Sequence, residues 1–322
     1  MTQKGIKMKL KWIIALAAML AAMLAVSASA DTIFLGGSVT NTASWDNGLP
    51  TSVGNPGIIG VNGSIPGGTL TGYYVTQTNG TVNNESFTGT AHTDGEWNVN
   101  GGTYTTRAMT LGGTHVFNVD GGTAKLGNNN RDVVLSGTSS LNVISGAIDF
   151  GRRLILNGGS FTMSGGTLTG DTDTWLGANS FNGGGLMNFN GGTATFAQLN
   201  FGDASTKAVF GGSSAGSVTI DSFLGTNMDI DWLTGTKMAL SVTNVTDWAE
   251  TLWNSGQLTY NGNGTNELSK SWAEVTAVGG LGGGENFSFD GETLTVVPEP
   301  AVMSLIVSAG LLMILFRRRM GR

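Results

Sequence analysis

Cysteine is absent from all 322 positions, which excludes a disulfide framework and any thiol chemistry. Histidine occurs only as His92 and His115, and there are five prolines. Charged residues make up 12% of the chain, about half the usual ~25%. All 22 acidic residues lie between Asp31 and Glu299 against eight of the 16 basic ones, which leaves 31–316 at −14. A surface that acidic repels phosphate, so no nucleic-acid partner is expected. Glycine is the residue in excess, at 52 of 322 positions. It falls well short of one-third and has no triplet period, which excludes collagen.

Both ends carry segments of a different character. Lys4, Lys7, Lys9 and Lys11 precede an uncharged apolar run from Trp12 to Val26, and Ser27-Ala28-Ser29-Ala30 follows. A cationic start, a short apolar run and small residues are the parts of a secretory signal over 1–30. Ala28 and Ala30 are the residues a signal peptidase would read, with cleavage before Asp31. At the far end, Pro298-Glu299-Pro300 leads into an uncharged stretch from Ala301 to Phe316, then Arg317-Arg318-Arg319. Sixteen residues of helix span ~24 Å. The arginines can snorkel to headgroups, and by the positive-inside rule they stay cytoplasmic.

This C-terminal pattern resembles the PEP-CTERM sorting signal over 298–322, at Pro298, Glu299, Pro300, the transmembrane helix 301–316 and the basic tail Arg317, Arg318, Arg319. The resemblance implies recognition by an exosortase, a membrane-embedded cysteine peptidase that cuts near the motif. It also implies an intermediate anchored in the inner membrane and delivery to the cell surface or an exopolysaccharide-rich matrix.

Between the ends, one unit recurs. Trp97-Asn98-Val99-Asn100-Gly101-Gly102-Thr103 is followed by Phe117-Asn118-Val119-Asp120-Gly121-Gly122-Thr123 and, in degraded form, Leu141-Asn142-Val143-Ile144-Ser145-Gly146-Ala147. Phe161-Thr162-Met163-Ser164-Gly165-Gly166-Thr167 and Met187-Asn188-Phe189-Asn190-Gly191-Gly192-Thr193 continue it, at spacings of 20 to 26 residues. A second phase, Leu111-Gly112-Gly113-Thr114, Leu135-Ser136-Gly137-Thr138 and Leu156-Asn157-Gly158-Gly159-Ser160, interleaves. Alternation of apolar and polar residues marks a half-buried strand, and the glycines supply a sharp turn. One such coil cannot bury its own apolar face, but stacked coils can.

The expected fold is therefore all-β: a parallel β-helix or β-solenoid of ~20–26-residue repeats over 70–220. An N-terminal cap is expected over 31–69. A smaller β-rich C-terminal region is expected over 221–297, with a short helix at 247–254 and a closing hairpin near Phe287–Val296. An antiparallel sandwich would use the same Gly-Gly turns. The two differ over Phe117, Leu141, Phe161 and Met187, which only the solenoid stacks in one interior column. The Gly-Gly-Thr units also resemble the repeats of autotransporter-associated passenger domains, although no C-terminal membrane barrel follows.

Side chains with chemistry to offer were weighed against plainer roles. His92 and His115 lie about one repeat apart and could share a metal, but without a carboxylate partner solvent-facing or ladder positions are expected. Parallel β-helices host polysaccharide lyases and glycoside hydrolases. The pairs Asp171/Asp173 and Asp229/Asp231, with Arg152 and Arg153 for a uronate, are the candidates for such work or for calcium. Glycine-flanked turns favour aspartate in any case. Trp97 and Trp175, and a group of Trp232, Trp248, Trp253 and Trp272, are candidates for sugar stacking or for core. Asn79, Asn84, Asn244, Asn263 and Asn286 head Asn-x-Ser/Thr triplets. The leading expectation is a non-enzymatic structural or adhesive protein with no cofactor. A carbohydrate-binding or polysaccharide-degrading β-helix is the alternative.

Overall fold

A computed structural model describes residues 31–298 apart from 53–55, 66–67, 85–88, 129 and 179–182. It is all-β and mostly parallel, a β-solenoid of about nine turns. At ~4.8 Å per coil the stack rises about 40 Å. The Ala301–Phe316 helix lies outside the described residues. Among the described residues no helix is long and apolar enough to cross a membrane.

Each coil lays one strand on each of three faces. The recurring alternating unit forms the first face, as in Val116–Val119. The Gly-Gly corner turns the chain onto the second face, as in Thr123–Leu126. The third face follows, as in Val133–Ser136. Strand-to-strand register is parallel and shows why the alternation recurs. Val75 pairs with Trp97, Trp97 with Phe117, Phe117 with Leu141, Leu141 with Phe161 and Phe161 with Met187. Ala208, Ile230 and Leu258 continue the same interior column. Phe117, Leu141, Phe161 and Met187 are fully buried. The sandwich alternative is thereby excluded, since these residues sit on parallel neighbours one coil apart.

The parallel pairing extends on both sides of 70–220, from Thr32 opposite Gly57 to Trp232 opposite Tyr260. Near the top, the next interior column becomes aromatic. Phe189 stacks on Phe210 at 5.1 Å, and Phe210 on Trp232 at 4.8 Å. The coil between Ile230 and Leu258 is longer than those below because it carries helix α1 (Trp248–Asn254), which buries Trp248, Ala249, Leu252 and Trp253. Asp247 takes its N-cap position, but with φ 54° and no side-chain capping bond. Two shorter helices follow, α2 (Thr265–Leu268) and α3 (Trp272–Thr276).

Both ends are closed by chain that departs from the coil. At the top, Thr293–Pro298 pairs antiparallel with Met238–Val242 and with Glu285–Phe289. The hairpin covers a strand edge that would otherwise be open. At the bottom, Phe34 and Trp45 meet edge to face at 4.9 Å, and the Trp45 indole N–H donates to the Val39 carbonyl at 2.9 Å. Gly57 and Gly63 lie directly above. A Cβ on Gly57 would stand 2.7 Å from the Trp45 ring and 2.8 Å from Pro50, and one on Gly63 would stand 2.6 Å from Phe34.

The corners need glycine for two separable reasons. Gly146 has φ +79° directly above the preceding coil, and a Cβ there would be driven into the Gly122 carbonyl. Gly235 has φ +71° with nothing within 4 Å. Gly235→Ala should therefore cost only the left-handed backbone penalty, about 1–2 kcal/mol. Gly146→Ala should cost clearly more, because it adds a backbone clash between coils. Urea denaturation of the two variants tests this; equal losses would show that coil-to-coil approach at Gly146 is not limiting.

Candidate functional site

Of the residues expected to direct sorting, Pro298 alone is described. It ends the strand Thr293–Pro298, opposite Glu285, where a missing N–H costs the ladder least. Ala28, Ala30, Glu299, Pro300, Arg317, Arg318 and Arg319 lie outside the described residues.

The candidate carboxylate pairs do not form a converging site. Asp171 and Asp173 sit on an exposed turn, closed by the Thr174 N–H donating to the Asp171 carbonyl at 2.9 Å. Asp171 lines a corner cavity of about 200 Å³ with Lys125, Asn128, Asp149 and Gly151, but Asp173 does not. Asp229 and Asp231 flank the fully buried Ile230; the Asp229 carboxylate is partly exposed, whereas Asp231 is itself buried. Lys207 Nζ bridges them, at 3.6 Å from Asp229 and 3.5 Å from Asp231. Asp231 also accepts from the Thr259 hydroxyl at 2.9 Å and the Gly262 N–H at 2.8 Å. Its acceptor capacity is largely spent within the protein.

Arg152 and Arg153 are equally committed. Arg153 binds Asp132 through two parallel bonds, Nε to Oδ1 at 2.8 Å and Nη2 to Oδ2 at 2.9 Å. Arg152 reaches the same carboxylate at 3.5 Å. The Arg153 guanidinium also lies 5.5 Å from the Trp175 ring centroid, so one face of that indole is occupied by a cation. Asp132 went unremarked in the sequence, although the register contains the signal. It precedes Val133 as Arg153 precedes Leu154, and Val133 pairs with Leu154.

The tryptophans are core rather than a sugar platform. Trp97, Trp232 and Trp253 are fully buried, and Trp175 and Trp248 nearly so. Trp272 is half-buried and stacks on Phe287 at 5.9 Å. Of the Asn-x-Ser/Thr positions, Asn79, Asn244 and Asn263 are exposed. Asn286 is buried and donates to the Phe287 carbonyl at 2.9 Å, so it is not an accessible acceptor. The outward asparagines of the first face bond one another. Asn118 Nδ2 donates to Asn98 Oδ1 at 2.7 Å and Asn142 Nδ2 to Asn118 Oδ1 at 2.8 Å. A second polar hub missed in the sequence is Glu285, which accepts from the Tyr260 hydroxyl, the Thr234 hydroxyl and the Gly235 N–H.

Of the solvent-facing or ladder positions expected for the histidines, the solvent-facing one is overturned: both are fully buried, and His92 is in register with Leu70 and Leu111. Their rings lie 5.1 Å apart. His92 Nε2 shares a 2.9 Å hydrogen bond with the Tyr104 hydroxyl, while His92 Nδ1 and both nitrogens of His115 have no partner. Burial pushes the His115 imidazole down to about 4, against a smaller opposing pull from the Asp94 charge. Burial and then the neighbouring His115 hold His92 well below the ordinary histidine range. Burial raises the Tyr104 phenol. Among the described residues no group of three or more His, Asp or Glu is placed to hold a metal.

Comparison with protein-family models, curated proteins and solved structures gives no match. Asp171→Asn combined with Asp173→Asn should leave the unfolding midpoint unchanged within about 0.5 kcal/mol, as for ordinary surface substitutions. Asp231→Ala should cost about 1–3 kcal/mol, because Lys207, Thr259 and Gly262 lose an acceptor. Chemical denaturation of the two variants distinguishes them, and a large loss in the first would mean the turn carries hidden structural bonds.

Proposed function

We propose that this chain is an exported, non-enzymatic structural or adhesive protein, sorted and cut through its C-terminal signal for the cell surface or extracellular matrix. The observation that carries the non-enzymatic part is the commitment of the candidate groups. Lys207 bridges Asp229 and Asp231, Asp132 pairs with both Arg152 and Arg153, and all but one of the candidate indoles are buried. What remains is a rigid rod held by repeated pairing, suited to bearing load or spacing rather than to turnover. The export part rests on the two terminal segments. The cationic, apolar, small-residue leader addresses the chain to a signal peptidase. The Pro-Glu-Pro, helix and arginine order addresses it to an exosortase and, transiently, to the inner membrane.

One observation favours the carbohydrate-cleaving alternative: Lys125, Asp149 and Asp171 share the corner cavity. Asp171→Asn with Asp149→Asn separates the readings. Any polysaccharide-degrading activity of the purified protein should be unaffected; a loss of tenfold or more would favour catalysis at that corner.

Sorting is tested in the natural host. Mass spectrometry of the mature protein should find peptides up to the Pro-Glu-Pro motif and none containing Arg317–Arg322. Scrambling Pro298-Glu299-Pro300 should restore them. Abundant intact C-terminus in the unaltered protein would overturn the sorting reading.

A further inference from the structure

The solenoid interior is apolar along most of its length and becomes polar in the coils that hold His92 and His115. His92 lies on the third face, paired in register with Leu70 below and Leu111 above. Its ring meets Trp97 at 5.5 Å, Phe117 at 6.3 Å and His115 at 5.1 Å. Tyr104 closes the group, 5.3 Å from Trp97 and 5.1 Å from Phe117. Within this ring cluster the Trp97 indole N–H is also without a partner, beside the three unpartnered imidazole nitrogens. Nothing in the proposed export or structural role calls for such a cluster, and leucines at 92 and 115 with phenylalanine at 104 would remove the imidazole nitrogens and the hydroxyl together.

We propose that this cluster is an acid-triggered opening point: protonating either imidazole forces the coils from about Gly68 to Lys125 apart while the coils above them hold. The geometry leaves an extra proton without a receiver. A neutral His92 can place its one N–H on Nε2, towards the Tyr104 oxygen, but a charged His92 would also carry an N–H at Nδ1, which faces no acceptor. A charged His115 would have two. The charged groups nearby are engaged elsewhere. Asp94 accepts from the Thr114 N–H at 2.9 Å and its hydroxyl at 3.2 Å on the exposed turn. Glu96 points outward and takes the Asn118 amide at 3.4 Å. Asp132, at the base of the third-face strand above, is held by Arg152 and Arg153. The Asp94 charge offsets only part of the burial cost at His115, and a buried cation with no hydrogen-bonded counter-charge costs several kcal/mol, so the coil opens rather than accept it.

The opening is local because a solenoid is nearly one-dimensional. Each coil contacts only its neighbours, and its stability is its own plus that of two interfaces. The chain has no third histidine, so coils above Leu154 have no matching trigger. The sign follows from where each state takes its proton. Above the ordinary histidine value of 6.5 both states are neutral and nothing is lost. Between 6.5 and about 4 the unfolded coils bind protons that the folded ones refuse, so stability falls as pH falls.

The full chain tests this directly, since two histidines give two imidazole signals by NMR. Neither should titrate at 6.5 while the protein is folded. As pH is lowered from 6.5 towards about 4, amide hydrogen exchange should rise first in Thr90–Val119 and later in Leu154–Val242. Ordinary titration of either imidazole with protection retained would overturn the proposal, as would simultaneous loss along the whole rod. His115→Leu removes a side chain that makes no hydrogen bond, and His92→Leu with Tyr104→Phe removes a bonded pair together. Each should move the acid transition of these coils down by at least ~0.5 pH units. Unchanged midpoints in both would overturn the proposal, and the wild-type titration decides it even if a variant does not fold.

Discussion

In-register stacking of like upon like is the interaction on which the rest of this molecule depends. No coil of twenty-odd residues encloses enough apolar surface to fold alone. Phe117 becomes core only because Trp97 lies beneath it and Leu141 above. The outward asparagines follow the same logic, since Asn118 finds its partners in Asn98 and Asn142 one coil away. Even the ion pairs obey it: Asp132 and Arg153 are opposite because Val133 and Leu154 are. Stability, polar satisfaction and charge balance thus share a single geometric source.

That source also explains what could be read from the sequence. The alternating units announced themselves because a half-buried strand must repeat every second residue and a stacked coil must repeat every turn. The column through Phe117, Leu141, Phe161 and Met187 was legible for that reason. For His92 and His115 the solvent-facing alternative failed because polarity does not by itself imply exposure. The register partners of His92 decide the matter, since Leu70 and Leu111 are both apolar and buried. The indoles were ambiguous because an aromatic side chain suits a core and a sugar equally. Glu285 was invisible for a different reason. Its donors Tyr260 and Thr234 come from another coil, brought near by a hairpin whose docking no periodicity reveals.

The terminal segments and the rod divide the proposed role between them. In the proposed reading, leader and trailer carry the addresses and the solenoid's geometry has no part in their being read. The rod keeps Asp132, Arg152 and Arg153, and Lys207, Asp229 and Asp231, occupied with one another. Such a division lets the middle of the chain vary in length and surface while its destination stays constant.

The bare backbone at Gly57 and Gly63 has a consequence for how such a rod can lengthen. Trp45, Pro50 and Phe34 fit against those two positions as a stopper fits a ground-glass neck, and the antiparallel hairpin seals the opposite mouth. A coil spliced in at either extremity would have to bring its own matching seat. Duplication of an internal turn needs none, because every middle turn already pairs in parallel register with the turn above and the turn below. Growth by insertion at the waist, with the stoppers left untouched, is the route this architecture leaves open.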